Sequence, residues 1–219
     1  MDNVLKTGTT TVALKATDGV VLAADRRASL GGRFVANKNA IKIEPVHDRA
    51  AVTISGSVGG GQGFVRQLRV QADLYETRRG RPMSMDALAQ TAANIIRGMQ
   101  AQPLLGGVDL PHSDRSTMPG TPEDDADAGE PRVFSIDGAG GVMEDDYTAS
   151  GSGMTVATGT LERLYDPEMS VEEAVEVAAE AVAAASERDT ASGNGITVAR
   201  ITADGVHQDS YDDTEEVLA

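Results

Sequence analysis

The sequence predicts an α+β fold, because strand-like and helix-like segments occur in separate blocks along the chain. Two helix-like stretches follow the first block of strands, and two more follow the second block. The chain has 219 residues, of which 40% are apolar, and this length can bury the core of one domain. Two helix pairs separated by strands could cover the two outer faces of a sandwich of sheets.

The first quarter of the chain contains short apolar segments that predict strands. These segments are residues 9–17, 19–27, 34–38, 40–46 and 50–58. The dipeptide Asp18-Gly19 between the first two is typical of a hairpin turn. Antiparallel pairing is the simplest interpretation of strands that follow one another so closely.

Two helices are predicted next, over residues 62–79 and 85–99, because apolar residues recur there at helical spacing. Ser84 is a plausible N-cap of the second helix. The glycine-rich run 56–63 lacks the Gly-Lys-Ser/Thr ending of a phosphate-binding loop. We interpret it as a tight turn from strand to helix, whose backbone N–H groups could bind a developing oxyanion.

The second block repeats this order of strands and helices. Strands are predicted at 104–110, 132–140, 141–153 and 195–203, and helices at 156–164 and from Ser170 onward. Ser170 and Glu173 match a capping box. A hairpin turn at Asp204-Gly205 precedes an acidic tail. Segment 111–131, rich in Pro, Gly, Asp and Ser, is predicted to be a solvated insertion loop within the single domain.

Composition excludes several kinds of function. The net charge of −15 disfavours nucleic acid and anionic membranes as partners. The absence of cysteine excludes disulfides, cysteine nucleophiles and cysteine-based zinc sites. No secretory h-region or membrane-length apolar run occurs, so we expect a cytoplasmic protein. High acidity with few lysines fits either a protein adapted to concentrated salt or an ordinary acidic cytosolic protein.

Histidine and threonine are residue types of this chain that could bind a metal or act as a nucleophile. His47, His112 and His207 are scattered without metal-ligand spacing, and we expect them on the surface, so no metal or cofactor is expected. The run from Thr9 to Thr11 either favours β structure or supplies a nucleophile. If Thr9 became the first residue of the mature chain, its own α-amino group, with a pKa of about 7.7–8.0, could serve as its base.

Seven short segments together resemble the archaeal type of proteasome β-subunit. In order, they are TGTTTVAL, VVLAADRRAS, NKNAIKI, TISGSVGGGQ, VFSIDGAGG, YTASGSG and ERDTASGNG. The resemblance covers nearly the whole chain from Thr7 to about Asp204. It implies the N-terminal-nucleophile hydrolase fold, a four-layer αββα sandwich of two antiparallel sheets between helix pairs.

The resemblance also implies the reaction and its residues. Self-cleavage between Gly8 and Thr9 would remove residues 1–8 as a propeptide and leave 9–219 as a threonine endopeptidase domain with Thr9 as nucleophile. The matching assisting residues are Asp25, Lys42, Ser152, Asp189 and Ser192, with the backbone N–H of Gly56 in the oxyanion hole. Asp25 would keep Lys42 charged, and the ammonium would favour ionisation of the Thr9 hydroxyl.

Each of these residues also has an ordinary interpretation. In isolation, Asp25 and Lys42 would be a strand-end ion pair, Ser152 a turn serine, and Asp189 and Ser192 the turn after a helix. Lys38 is a rival for the position of Lys42, but its place in NKNA matches the family's preceding lysine better.

The resemblance further implies a substrate pocket. Its predicted lining is Ala28, Ala40, Ile54 and Val58, which is apolar, so cleavage after hydrophobic residues is expected. Glu44 is expected nearby and could broaden the preference toward basic residues. Met154 departs from the family, in which a serine is common, and segment 111–131 replaces a short connection.

The implied partners are other β-subunits in heptameric rings, α-subunit rings that complete a four-ring core, an AAA ATPase regulatory particle and unfolded polypeptide substrates. Three alternatives stay open at this point. The chain could be a non-catalytic ring scaffold that keeps the residues before Thr9, a bacterial two-ring relative, or an amidase of the same fold that acts on small molecules.

Overall fold

The computed structural model describes residues 8–109 and 129–218, which form four layers in the order helix, sheet, sheet, helix. The predicted α+β sandwich is therefore confirmed. The strands are β1 Thr10–Ala16, β2 Gly19–Asp25, β3 Ala28–Leu30, β4 Phe34–Asn37, β5 Ile43–His47, β6 Ala50–Thr53, β7 Leu104–Asp109, β8 Glu130–Ile136, β9 Val142–Glu144, β10 Tyr147–Gly151, β11 Ile196–Thr202 and β12 Gly205–Tyr211. The helices are α1 Val58–Arg79, α2 Met85–Ile96, α3 Met154–Leu164, α4 Val171–Arg188 and α5 Glu215–Leu218.

The first sheet has the strand order β10-β1-β2-β11-β12, and every neighbouring pair is antiparallel. Its outer face packs against α3 and α4, through alanines and valines of α4 and residues such as Val12 and Leu14 of β1. The capping box predicted at the start of α4 is present, since the Ser170 side chain accepts from the Glu173 N–H and Glu173 accepts from the Ser170 N–H.

The second sheet has the order β5-β6-β7-β8-β9 and is covered on its outer face by α1 and α2. Between the two sheets lies a separate cluster that includes Leu22 and Leu104. The sheets approach closely there, because a Cβ added at Gly106 would lie only 2.7 Å from Val20 Cγ1. Both five-stranded sheets are therefore buried on both faces, which explains the nearly continuous apolar runs in their central strands.

Several predicted boundaries are wrong. The glycine-rich run is not a turn along its whole length, because Ser57 caps α1 and residues 59–63 form the first turns of that helix. Segment 141–153, predicted as one strand, is two strands that belong to different sheets, β9 and β10. Helix α2 ends at Ile96 rather than at residue 99.

The ends of two predicted loops also differ from the structure. Glu130 and Pro131, predicted to end the insertion loop, are the first residues of β8, while residues 110–128 lie outside the described ranges. The predicted acidic tail contains β12, which pairs with β11 along its full length, and the short helix α5. None of the helices within the described ranges is long and apolar enough to cross a membrane.

Candidate active site

Thr9 lies directly before β1, at the N-terminal end of this strand, and is 2% exposed. Strand β1 runs between β10 and β2, so residues from both neighbours surround this end of the strand. Gly151 of β10 pairs with Thr10 and has a φ of 95°, and a Cβ added there would collide with the Thr9 carbonyl oxygen. The backbone around Thr9 is therefore closely held.

Asp25 and Lys42 form a buried ion pair beside this strand end. Asp25 is the last residue of β2 and is fully buried, and Lys42, 5% exposed, directly precedes β5 of the other sheet. Lys42 Nζ donates to Asp25 Oδ1 over 2.6 Å, and the Thr10 N–H donates to the same oxygen over 2.8 Å. The ammonium and the residue that follows Thr9 are thus held on one carboxylate oxygen.

The second oxygen of Asp25 is also saturated. The N–H groups of Arg27 and Gly193 donate to Oδ2 over 3.0 and 2.9 Å. Burial lowers the pKa of Lys42 from its ordinary 10.5, while the charge of Asp25 and its hydrogen bond oppose that shift. Four donors on one carboxylate stabilise its anionic form and offset its desolvation.

A chain of hydroxyl groups connects Thr9 to Asp189. The Thr9 N–H donates to Ser152 Oγ over 3.1 Å, and Ser152 Oγ donates to Asp189 Oδ2 over 2.5 Å. Ser192 Oγ donates to the same carboxylate oxygen over 2.7 Å and lies 2.7 Å from Thr10 Oγ1. This network connects the nitrogen of Thr9 through Ser152 to the Asp189 carboxylate.

Ser152 and Asp189 reach this position from the ends of two helices. Ser152 lies between β10 and α3, and Asp189 is the residue that caps the C-terminus of α4. Helices α3 and α4 pack together over the first sheet. The start of α3 and the end of α4 therefore lie close to the N-terminal end of β1. Ser192 follows in the turn after α4, where its N–H donates to the Asp189 carbonyl oxygen.

Two cavities share Gly56 as a lining residue. One has a volume of about 440 Å³ and contains Thr9, Lys42 and Glu44 in its wall. All four residues predicted for the substrate pocket also line it, namely Ala28, Ala40, Ile54 and Val58. The other, of about 710 Å³, is lined by residues that include Gly8, Ser152 and Asp189.

Gly56 faces both cavities and has a φ of 104°, a conformation that favours glycine. A Cβ at this position would collide with the Gln100 carbonyl oxygen and lie 3.1 Å from Ala101 Cα. The structure therefore places the Gly56 backbone in the same cavity as Thr9, at a point where a side chain does not fit.

Gly8 is buried next to Thr9, and its N–H donates to Ser29 Oγ over 3.1 Å. A Cβ added at Gly8 would overlap Ala191 Cβ and lie 3.0 Å from Ala191 Cα. Gly8 is thus bonded to Ser29 through its N–H, while Ala191 and Ser152 lie close to the position that its side chain would occupy.

Sequence reasoning missed several residues that complete this site. Thr10 was considered only as part of the threonine run, yet its N–H and hydroxyl reach Asp25 and Ser192. Gly193 and Arg27 donate to Asp25 through backbone N–H groups, and a motif of side chains does not indicate such contacts. The available signal was their place inside the recognised segments, where Gly193 follows Ser192 and Arg27 stands two residues after Asp25.

Other candidates lie apart from this cluster. Lys38 is exposed, and Met154 is the partly exposed first residue of α3. His207 is exposed as predicted, whereas the prediction for His47 is wrong, because its side chain is only 10% exposed and lies 3.8 Å from Glu76 Oε2. His112 lies outside the described ranges. Within those ranges, no group of three His, Asp or Glu side chains could hold a metal ion.

Known proteins match this chain over nearly its whole length. The sequence profile of the family described as "Proteasome subunit" matches residues 5–112 and 124–201. "Proteasome subunit beta" of Halorhabdus utahensis is 54% identical, with 99% of this chain and 86% of that protein covered. "Proteasome subunit beta 2" of Haloarcula marismortui is 52% identical, with 98% and 86% covered. "Proteasome subunit beta" of Natronomonas pharaonis is 52% identical, with 100% and 85% covered.

Proposed function

This chain belongs to the proteasome subunit family, and on that premise we propose that it is a catalytic β-subunit that uses Thr9 as its nucleophile. Its relatives place it in a multi-subunit protease core and come from halophilic archaea, which favours the salt-adapted interpretation of its acidity. The observation that carries the proposal is the shared carboxylate oxygen of Asp25, which holds the Lys42 ammonium beside the residue that follows Thr9.

The first reaction of the proposed enzyme is its own processing. The Thr9 hydroxyl attacks the Gly8 carbonyl carbon, the C–N bond between Gly8 and Thr9 breaks, and an ester to Thr9 Oγ forms. The hydroxyl proton ends on the released nitrogen, which becomes an α-amino group. Water then hydrolyses the ester, so that Gly8 leaves as a carboxylate and Thr9 regains its hydroxyl. Ser152 Oγ, 3.1 Å from the Thr9 nitrogen, is in place to orient it throughout.

The same groups would then cleave substrates. The α-amino group of Thr9 accepts the hydroxyl proton as Oγ attacks a substrate carbonyl, and it returns a proton to the leaving amine. The Lys42 ammonium favours the ionised hydroxyl and lowers the pKa of the neighbouring amine. The Gly56 N–H would donate to the developing oxyanion. The acyl ester on Thr9 is finally hydrolysed by water.

The 440 Å³ cavity supports a preference for hydrophobic residues before the scissile bond. Its wall contains Ala28, Ala40, Ile54 and Val58, together with Thr9. An apolar side chain gains free energy there in proportion to the area that it removes from water. The substrates proposed are unfolded polypeptides, whose side chains can enter a cavity of this size one at a time.

The proposed assembly consists of heptameric rings of β-subunits flanked by rings of α-subunits, with an AAA ATPase that feeds unfolded chains into the core. A cytoplasmic location belongs to the same proposal.

The proposal is tested with the full-length chain and its Thr9→Ala and Thr9→Ser variants, assembled and purified in molar salt. The mass of each subunit reports processing, and hydrolysis of an unfolded protein reports activity. We expect the wild type to begin at Thr9 and to be active, Thr9→Ala to keep Gly8 and be inactive, and Thr9→Ser to retain measurable activity. Size-exclusion chromatography checks that all three assemble equally.

Two outcomes would contradict the proposal. An assembled wild-type particle that keeps the residues before Thr9 on every copy would identify a scaffold subunit. Turnover that survives in Thr9→Ala would place the nucleophile elsewhere.

A further inference from the structure

We propose that Arg69 of α1 sets the substrate preference of the 440 Å³ cavity by neutralising Glu44 in its wall. This inference rests on the proposed function, because it concerns the substrate residue that enters the cavity beside Thr9. Within the described residues that line this cavity, the ionisable ones are Lys42 and Glu44. Lys42 is already paired with Asp25, so the state of Glu44 decides whether the cavity attracts a cation.

Glu44 lies in β5 at the edge of the second sheet, on the face that packs against α1. Its neighbour Ile43 points into the cluster between the two sheets, whereas Val46 belongs to the cluster under α1 and α2. Glu44 pairs with Val52 of β6, which belongs to the same helix-side cluster, and directly paired residues of neighbouring strands lie on one face, so Glu44 is on the helix-facing side. The carboxylate is therefore presented both to the cavity and to the helix that covers it.

Arg69 reaches this carboxylate from α1. Its Nη2 donates to Glu44 Oε2 over 2.7 Å, and its Nε donates to the Pro45 carbonyl oxygen over 2.6 Å. The guanidinium is held at two points by adjacent residues of one strand, so it is oriented as well as paired. Glu44 and Arg69 retain 27% and 39% side-chain exposure, so the pair is only partly screened by solvent.

The charge balance of the cavity follows from this contact. A lysine or arginine of a substrate would meet a carboxylate whose charge is already compensated and whose partner is anchored to Pro45. Burial of a substrate cation there would cost desolvation free energy that no unpaired carboxylate offsets, whereas an apolar side chain has no such cost. Glu44 alone would broaden the preference toward basic residues, and Arg69 prevents this.

Removing the guanidinium should expose the carboxylate to substrates. We expect Arg69→Met to raise the ratio of kcat/KM for an arginine peptide to that for a leucine peptide by about fivefold, the factor for roughly 1 kcal/mol. The two fluorogenic peptides differ only in the residue before the scissile bond. Arg69→Gln, which keeps a donor for Pro45 but no charge, should change the ratio in the same direction and serves if Arg69→Met fails to assemble.

Two further variants separate this effect from a general change of charge. Arg69→Met combined with Glu44→Gln should return the ratio to the wild-type value, because no carboxylate remains to attract the substrate. Arg78→Met removes the same charge from an exposed position of the same helix, about 14 Å along its axis. That distance exceeds the screening length of about 3 Å at 1 M ionic strength, so this control should leave the ratio unchanged.

The inference is overturned if neither Arg69 variant raises the ratio, or if the rise persists in the double variant. It is also overturned if Glu44→Gln alone lowers the wild-type ratio severalfold, since Glu44 would then already attract cations with Arg69 in place. These results differ from a failure of the proposed function, in which the processed wild type would hydrolyse neither peptide, or Thr9→Ala would hydrolyse both.

Discussion

Replacement of Gly8 by alanine tests whether the Gly8–Thr9 bond must be held in one geometry to be cleaved. An added Cβ would overlap Ala191 Cβ and lie 3.0 Å from Ala191 Cα, whereas carbon atoms normally rest about 3.5–4.0 Å apart. Relief of the overlap between the two Cβ atoms requires a separation larger by about 2 Å, or about 1 Å of displacement for each residue if both move. Since a misplacement of about 1 Å can cost roughly 100-fold in rate, we expect Gly8→Ala to slow self-processing by about that factor, or roughly 2.7 kcal/mol of activation free energy.

The assay follows the conversion of precursor to mature subunit by intact mass over time, in particles assembled from each variant. Peptide hydrolysis is measured in the same samples and should appear only as the mature mass appears. Gly159→Ala is the matched control, because that exposed glycine of α3 has open space where a Cβ would be added. It should process at the wild-type rate.

A second variant identifies the cause of the delay. In Gly8→Ala combined with Ala191→Gly, the overlap of the two Cβ atoms is removed, and two close contacts remain, with the Cα of residue 191 at 3.0 Å and with Ser152 Oγ at 3.1 Å. We therefore expect a partial recovery of the processing rate. Wild-type processing by Gly8→Ala would refute the steric argument, and the absence of any recovery in the double variant would show that Ala191 is not the obstacle.

Two further changes test the electrostatics and the stability of the structure. Asp25→Asn removes the negative charge that opposes the lowering of the Lys42 pKa, so the pKa of Lys42 should fall further. The alkaline limb of the pH profile of kcat/KM should then move to lower pH. An unmoved limb would mean that the charge of Lys42 is not required. Ser170→Ala removes the N-cap of α4 and should destabilise the domain by about 1 kcal/mol in thermal unfolding. Hydrogen bonds from the Ser170 N–H and hydroxyl lower the pKa of Glu173 from its ordinary 4.5. The stability that Glu173 contributes to the capping box is therefore fully present above about pH 4.5 and is lost as the pH falls through the lowered, folded-state pKa. The deficit of Ser170→Ala should therefore shrink in acid, and a constant deficit would exclude the contribution of Glu173.

Local chemistry explains why much of the fold could be predicted from the sequence. The capping box at Ser170, the N-cap at Ser84 and the turn near Asp18 depend on residues a few positions apart, and each occurs close to its predicted place. Separate strand-like and helix-like blocks predicted the α+β class, whereas the order of the four layers was implied by the family resemblance. Such signals lie within one segment, so they can be read without knowledge of its neighbours.

Other features could not be predicted because they depend on contacts between distant segments. Strands β9 and β10 follow each other after two residues, yet one pairs with β8 and the other with β1. Nothing in their alternation of residues indicates which sheet each joins. Similarly, the apparent turn 56–63 becomes the start of α1 because Ser57 caps it and Ile54 packs against Gly61.

The sequence by itself determined the composition of the candidate site, since Thr9, Asp25, Lys42, Ser152 and Asp189 stand in recognisable segments. Only the tertiary structure decided how their charges are balanced. It brings Thr10 and Gly193 to Asp25 through backbone N–H groups, and it brings Arg69 from a helix to a carboxylate that the sequence left unpaired. The reason is physical. The type of a residue determines which charge it carries and which hydrogen bonds it can form, whereas the packing of segments far apart in the chain determines its partner.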